Sequence, residues 1–202
     1  MNETRQRKCP NVKEFGPGNK ESWDFINKLN MKCYEVVRGT KDENNLNRII
    51  FFNTYSGNSS FEAMKNVTIP DDKYVALSVN NYDPYFFTMD NDEKSNHKFP
   101  GKSGYGKDYE ESILESFKNL TAAMRMNNIE VVITEFGSRN FNNLEDRMRW
   151  CEFYLGCARD FNIKCFWWDD VVITSYAVFD RANNKFFEET EPLVNKIIEM
   201  TK

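Results

Sequence analysis

Polar and aromatic side chains stand where apolar runs of the sequence end. Glu135 follows the apolar run of residues 129–133, Asn80 and Tyr82 close a second run, and Trp168 closes a third. Amides and carboxylates bond sugar hydroxyls, and aromatic faces stack on pyranose rings. These residue types favour a carbohydrate site, in which a rigid strand aims the Glu135 carboxylate at the ligand.

Strands and helices that would position these side chains alternate along the chain. Apolar and aromatic runs predict buried parallel strands at 47–56, 74–85, 129–138 and 163–170. Apolar residues at helical spacing predict helices at 20–40, 108–128, 143–162 and 191–200, with a short helix at 60–66. We predict Ser22 as the N-cap of the first helix and Gly39 as its end. The alternation indicates α/β architecture with a parallel sheet.

Two layouts fit this alternation, a doubly wound open sheet and a (β/α) barrel. The glycine-rich motifs that bind nucleotides in doubly wound sheets do not occur. In a barrel, functional residues follow the C-terminal ends of strands. By this rule Asn53 and Tyr55 are also candidates, although packing explains them more simply, and Asp169 could equally cap a turn. Adjacent strand residues face opposite ways, so we predict Trp167 in the core and Trp168 in the site.

Composition excludes several other classes of function. The 202 residues carry 27 Lys and Arg against 31 Asp and Glu, without a basic stripe, so we expect no nucleic-acid partner. Apolar runs fall short of the ~20 residues that span a bilayer, and the polar opening residues do not resemble a signal peptide. None of the five cysteines forms a C-x-x-C pair. We predict Cys151, Cys157 and Cys165 as buried small hydrophobes, and no metal site.

Several motifs together resemble glycoside hydrolase family five, the cellulase family of (β/α)₈ barrels. VVITEFGS (131–138) is similar to the motif of its seventh strand, SVNNYDPY (78–85) to that of the sixth, and CFWWDD (165–170) to that of the eighth. NRIIFFNTYSG (47–57) resembles the fifth strand, and MNETR (1–5) the end of the fourth. The resemblance covers nearly the whole chain.

The resemblance implies retaining hydrolysis of β-1,4-linked glucans, of the endoglucanase type. Glu135 would be the nucleophile and Glu3 the general acid/base, and neither a metal nor an organic cofactor would be needed. The substrate-binding residues that it implies are Asn2, Asn80, Tyr82 and Trp168. The partner would be a β-glucan polysaccharide or oligosaccharide, and the setting extracellular.

The resemblance also implies that residues 1–202 form only the C-terminal half of a (β/α)₈ TIM barrel, from the end of strand four through helix eight. We therefore expect weak or no hydrolysis by these residues alone. Asn80 replaces the family's histidine, Thr4 replaces its proline, and Glu3 would sit in a terminus prone to fraying. Two alternatives stay open: a non-catalytic carbohydrate-binding remnant, and a half barrel that assembles with a partner or self-associates through open sheet edges.

Overall fold

Helices and strands alternate along the chain, as the sequence predicts. The structure, a computed structural model, describes residues 2–5, 12–40 and 42–202. Its helices are α1 (Lys20–Gly39), α2 (Glu43–Leu46), α3 (Phe61–Lys65), α4 (Tyr85–Thr88), α5 (Tyr109–Asn127), α6 (Leu144–Asp160) and α7 (Glu191–Met200). Its strands are β1 (Ile50–Asn58), β2 (Val75–Asn80), β3 (Val131–Phe136), β4 (Lys164–Trp167), β5 (Phe179–Asp180) and β6 (Lys185–Phe186), and a 3₁₀ turn spans Glu188–Thr190.

The four predicted strands form a parallel sheet in the order β1-β2-β3-β4. Ile50 pairs with Val75 and Asn53 with Ser78, and the register shifts beyond this point. Strands β5 and β6 form a separate antiparallel pair. The α/β prediction with a parallel sheet is therefore confirmed. No helix in the described part of the chain is both long and apolar enough to cross a membrane.

The chain divides into two compact units, each described here by itself. One comprises Met1–Asn80 with Asn119–Ile133, and the other Asn81–Lys118 with Thr134–Lys202.

In the first unit, a reciprocal capping arrangement fixes the start of α1. The Asn19 side chain accepts a hydrogen bond from Ser22 N at 3.0 Å, and Ser22 Oγ accepts one from Asn19 N at 2.7 Å. The prediction of Ser22 as the N-cap is wrong. Asn19 is the N-cap, and Ser22 is the third helical residue, which completes the capping box.

A buried amide joins α1 to β1. Asn30 Nδ2 donates to the Asn53 carbonyl at 2.9 Å, and Asn53 N donates to Asn30 Oδ1 at 3.2 Å. Both residues are buried, as is Tyr55. Burial of Asn53 and Tyr55 therefore supports a packing role for both residues over a role in binding sugar.

In the second unit, aromatic side chains of β3, α6 and β4 pack into one core. The Phe136 ring stacks on Tyr154 at 5.2 Å and meets the Trp167 ring edge-on at 5.4 Å, while Trp150 packs on Tyr154 at 5.1 Å. Trp167, although half-buried, thus packs against this core, on the side that the sequence predicts. Since this core covers the end of β3, it fixes the strand on which Glu135 stands.

Cysteines of the same unit behave as small apolar side chains. Cys151 and Cys157 are buried and Cys165 is half-buried. Burial raises the pKa of Cys151 and of Cys165 to about 12 and that of Cys157 to about 11. A thiol of so high a pKa carries little thiolate at neutral pH and is a poor nucleophile or ligand.

Candidate functional site

Strand β3 presents the Glu135 carboxyl group at its C-terminal end. The residue is only 7% exposed, and its Oε2 accepts a hydrogen bond from the Tyr82 hydroxyl at 2.9 Å. Asn81 N donates to the Glu135 carbonyl at 2.8 Å. The segment after β2 therefore holds both the backbone and the side chain of Glu135, and it brings together two of the residues that the sequence singles out.

The segment that carries Tyr82 is itself tied down by a buried amide. Asn81 Nδ2 donates to Ser116 Oγ at 2.6 Å, and the Tyr154 hydroxyl donates to Asn81 Oδ1 at 2.8 Å. A buried amide with several partners has one favourable orientation, since any other would leave polar atoms unsatisfied. Asn81 thus sets the position from which Tyr82 reaches Glu135.

Tyr176 supports the Tyr82 ring from another part of the chain. The two rings meet edge-on with centroids 5.8 Å apart. The Tyr176 hydroxyl donates to the Thr88 carbonyl at 3.1 Å, and Thr88 Oγ1 in turn donates to the Tyr82 carbonyl. Burial raises the pKa of Tyr176, so its hydroxyl stays a neutral donor.

Glycine follows Phe136 because Tyr176 approaches the backbone there. A Cβ atom at Gly137 would stand 3.2 Å from Tyr176 Cδ1. The Trp167 indole donates to the Tyr176 carbonyl at 3.0 Å, and Tyr176 N donates to Asp170 Oδ1 at 3.1 Å. Tyr176 is thus locked in place directly beside the end of β3.

Trp168 follows β4 and keeps an exposed face. Its N donates to the Phe136 carbonyl at 2.8 Å, and 39% of the residue is exposed. Asp169 Oδ2 accepts hydrogen bonds from Val178 N at 2.9 Å and Phe179 N at 3.0 Å. Asp169 therefore organises the following loop, whereas Trp168 offers an indole surface on which a ligand ring could stack.

The first unit holds the other predicted carboxylate, Glu3. Asn80 Nδ2 donates to Glu3 Oε1 at 3.1 Å, and Arg5 Nη1 lies 3.5 Å from Glu3 Oε2. Ser56 N donates to the Thr4 carbonyl at 3.1 Å. These backbone and side-chain contacts oppose the fraying that the sequence predicts for this terminus.

Residues 2–5 adopt an unusual backbone at this point. Glu3 has φ of +43°, in the left-handed region that non-glycine residues seldom occupy. Asn2, the predicted ligand of the sugar 2-hydroxyl, is exposed and also has interactions of its own. Strained backbone of this kind is found disproportionately at functional sites.

The candidate site is built from side chains of several chemical types. Within ranges 2–5, 12–40 and 42–202, no three His, Cys, Asp or Glu side chains cluster as a metal ion would require. The site-forming groups are instead carboxylates, amides, phenols and an indole. The sequence did not predict three supporting residues of the site, Asn81, Thr88 and Tyr176. Of these, only Asn81 carries a signal in the sequence, because it stands next to Asn80 at the end of a strand.

Comparison with known proteins places the chain in a family. Residues 1–170 match the family Cellulase (glycosyl hydrolase family 5). The chain is 37% identical over 170 residues to Endoglucanase A of Clostridium longisporum, covering 84% of this chain and 31% of that protein. It is 30% identical over 210 residues to Endoglucanase A of Ruminococcus albus, covering the whole chain and 54% of that relative.

Solved structures agree with the sequence comparison. A GH5-4 broad specificity endoglucanase from Ruminococcus flavefaciens superposes with a TM-score of 0.86 and 30% identity, over the whole of this chain and 58% of that one. A GH5 xyloglucan-specific endo-beta-1,4-glucanase from a metagenomic library, in complex with cellotriose, gives 0.83 and 28%, over 99% and 56%.

The chain spans between about a third and somewhat more than half of the length of these relatives. Structural neighbours of the family are TIM barrels, and the four-stranded parallel sheet is consistent with part of such a barrel. The sequence motifs, the fold and the match over residues 1–170 agree, and the chain belongs to the cellulase family of glycoside hydrolases, family 5.

Proposed function

We propose that this chain supplies the nucleophile side of a retaining β-1,4-glucan hydrolase of the endoglucanase type. The observation that carries the proposal is the 2.9 Å hydrogen bond from Tyr82 to a nearly buried Glu135 at the end of β3. A phenol that donates to a carboxylate fixes the direction in which that group points. Membership of the cellulase family supports the choice of Glu135.

In this proposal the reaction proceeds by double displacement. Glu135 attacks the anomeric carbon while Glu3 protonates the leaving glycosidic oxygen, which gives a glycosyl-enzyme ester. Glu3, now a carboxylate, takes a proton from water as that water attacks the same carbon and releases Glu135. The covalent intermediate is broken without any redox partner, and both groups return to their starting protonation states.

The remaining predicted residues would hold the sugar. We assign Asn2 and Asn80 to hydrogen bonds with substrate hydroxyls and Trp168 to stacking on a pyranose ring. The exposed indole face of Trp168 and the donor amide of Asn80 support these assignments. Asn80 also positions Glu3, a role that its contact with the Glu3 carboxylate supports.

A β-1,4-linked glucan is the substrate class that the relatives favour. They are named endoglucanases, and the xyloglucan-specific neighbour at 28% identity was solved with cellotriose. Polymeric glucan is too large to enter a cell, so we propose an extracellular setting. Residues 1–202 would then contribute the C-terminal half of the catalytic domain.

Covalent trapping tests the assignment of the nucleophile. A 2-deoxy-2-fluoro cellobioside with a dinitrophenolate leaving group should glycosylate Glu135 with release of dinitrophenolate. The fluorine slows both formation and hydrolysis of the glycosyl ester, and the good leaving group restores the rate of the first step alone, so the ester accumulates. Intact-mass and peptide mass spectrometry should locate one cellobiosyl adduct on Glu135, and Glu135→Gln should abolish it. Glu130→Gln, a change at an exposed carboxylate just before β3, is the matched control and should label normally.

An adduct on another residue, or one that persists in Glu135→Gln, would contradict the assignment. The second candidate function, non-catalytic carbohydrate binding, is favoured by Asn80, an amide that cannot titrate where the family carries histidine. It predicts binding of cello-oligosaccharide without release of reducing sugar from carboxymethyl-cellulose or lichenan. Release that disappears in Glu135→Gln would exclude it.

Self-association through the outer strands of the sheet order is a further part of the proposal. Phe51 of β1 and Phe166 of β4 are exposed apolar side chains on these two strands. Light scattering at rising protein concentration would show the mass of a dimer, and a constant monomer mass would refute self-association.

A further inference from the structure

Two exposed tyrosines and one phenylalanine form an aromatic surface on the second unit. Tyr85 is 52% and Tyr105 65% exposed. The half-buried Phe86 lies between them, with its ring centroid 5.6 Å from Tyr85 and 5.2 Å from Tyr105. Isolated exposed aromatics are ordinary, but two exposed rings joined through a third form a continuous surface on which a ligand can pack. Tyr85, Phe86 and Tyr105 are called the aromatic platform below.

A dedicated turn presents Tyr105 to solvent. Gly106 has φ of +80°, and its N donates to the Ser103 carbonyl at 2.8 Å. Gly104 N donates to the Lys94 carbonyl at 2.8 Å, and a Cβ atom at Gly104 would stand 3.0 Å from Lys94 Cα. Gly104 permits the close backbone contact, and Gly106 permits the left-handed turn. The tyrosine between them is thereby held in one place although most of it is exposed.

Tyr85 is oriented by its neighbours as well. Partial burial, followed by the charge and hydrogen bonding of Asp90, raises the pKa of Tyr85. Asp90 accepts a hydrogen bond from Ser95 Oγ at 2.7 Å, which lowers the pKa of that carboxyl group. Tyr85 therefore remains a neutral phenol, and the contact of its ring with Phe86 helps to orient the ring before a ligand binds.

The platform continues from the site already described. Tyr85 follows Tyr82 by three residues, across the Asp83–Pro84 step. Thr88 lies in the same short helix as Tyr85 and Phe86. Its carbonyl accepts a hydrogen bond from the Tyr176 hydroxyl, and its Oγ1 donates to the Tyr82 carbonyl. The helix that carries two rings of the platform is thus bonded directly to the hydrogen-bond partner of Glu135.

We propose that the aromatic platform binds the polysaccharide beyond the glucosyl residue at the cleaved bond. β-1,4-Linked glucose rings present flat C–H faces that pack on aromatic rings. This inference depends on the proposed glucan substrate, and it identifies Tyr85 and Tyr105 as the residues that select long chains over short ones. The occupant is a run of β-1,4-linked glucosyl residues.

Binding measurements in a Glu135→Gln background test this inference without hydrolysis. Calorimetric titration with cellohexaose and with cellotriose gives two dissociation constants for each variant. Tyr105→Ala should weaken cellohexaose binding about tenfold while leaving the affinity for cellotriose unchanged. Tyr85→Ala should act in the same direction, and Tyr105→Phe should keep the wild-type affinity because the ring is retained.

Phe166→Ala provides a matched control, since Phe166 is 57% exposed in the same unit but makes no ring contact with the platform. It should leave both dissociation constants unchanged. An unchanged Kd for cellohexaose in Tyr105→Ala, or an equal loss for cellotriose, would overturn the platform alone. Failure of the Glu135→Gln chain to bind either oligosaccharide would overturn the platform and the proposed substrate together.

Discussion

The two carboxyl groups proposed for catalysis are held by different kinds of structure. Glu135 stands in a regular strand, nearly buried, and Phe136 after it is packed by Tyr154 and Trp167. Glu3 lies in an irregular segment with φ of +43°, where Asn80 and Arg5 make side-chain contacts with its carboxyl group. One carboxylate is positioned by a core and the other by individual polar contacts.

This difference matches the tasks proposed for the two groups. A nucleophile must stay aligned with one carbon atom, and a strand backed by aromatic packing keeps such alignment to within a fraction of an ångström. An acid/base works on two different oxygens in successive steps and tolerates a less rigid support. Single substitutions should therefore disturb Glu3 more easily than they disturb Glu135.

The largest effect should come from removing the carboxylates themselves. Glu135→Gln should lower kcat by about 10,000-fold on every substrate, because no covalent intermediate can form. Glu3→Gln should lower kcat/KM by about 100-fold or more on cello-oligosaccharides, yet lower kcat/KM far less on a dinitrophenyl cellobioside, whose leaving group needs no proton. Steady-state kinetics on both substrates decides the roles, and equal losses for Glu3→Gln on the two would refute its role as acid.

Asn80 should show the next largest effect, because Glu3 depends on few contacts. Asn80→Ala removes a donor 3.1 Å from Glu3 Oε1 and should lower kcat on cello-oligosaccharides by about 100-fold through misplacement of the acid. Asn80→His should introduce an ionisation near pH 6.5 into the pH profile of kcat. Circular dichroism provides the control for folding. A kcat for Asn80→Ala within twofold of wild type would show that Glu3 is held without this amide.

The sequence predicted the elements whose signals are long, and also the short helix α3, but it missed the other short elements. The four parallel strands and the four long helices carry many apolar residues at regular spacing, so single exceptions do not hide them. Helices α2 and α4 have four residues each, and β5 and β6 two each. Elements of that length form through local caps and turns, which leave no periodic pattern.

The sequence predicted the site residues that follow strands but not those that support them from loops. Glu135, Tyr82 and Trp168 follow strand ends, a position that the alternation of strands and helices reveals. Tyr176 was not predictable, since its hydroxyl bonds a carbonyl 88 residues earlier in the chain and it lies in a loop without a pattern. Supports of this kind depend on tertiary contacts, and only a structure reveals them.

Smaller effects should follow from substitutions around Glu135. Tyr82→Phe removes one hydrogen bond to the carboxylate and should lower kcat by about tenfold, because the strand still holds Glu135. Tyr176→Phe removes only the bond to Thr88 and should lower kcat about twofold. Kinetics with dinitrophenyl cellobioside measures both. A larger loss for Tyr176→Phe than for Tyr82→Phe would contradict the support that we assign to each.

Substitution of Val171 should have the smallest effect on activity. Its expected effect is on the free energy of unfolding. Val171 has φ of +64°, a conformation that is strained for a β-branched residue, and it lies in the loop that follows Trp168. Val171→Gly should raise the free energy of unfolding by about 1 kcal/mol, because relief of the left-handed strain exceeds the entropy that glycine adds to the unfolded chain. Val172→Gly, at a neighbouring exposed valine without positive φ, should lower it by about 0.5–1 kcal/mol. Urea unfolding of both variants measures the difference. If the two glycine variants lose stability equally, the backbone at Val171 is not strained, and the loop after Trp168 resembles the regular strand that carries Glu135 in this respect.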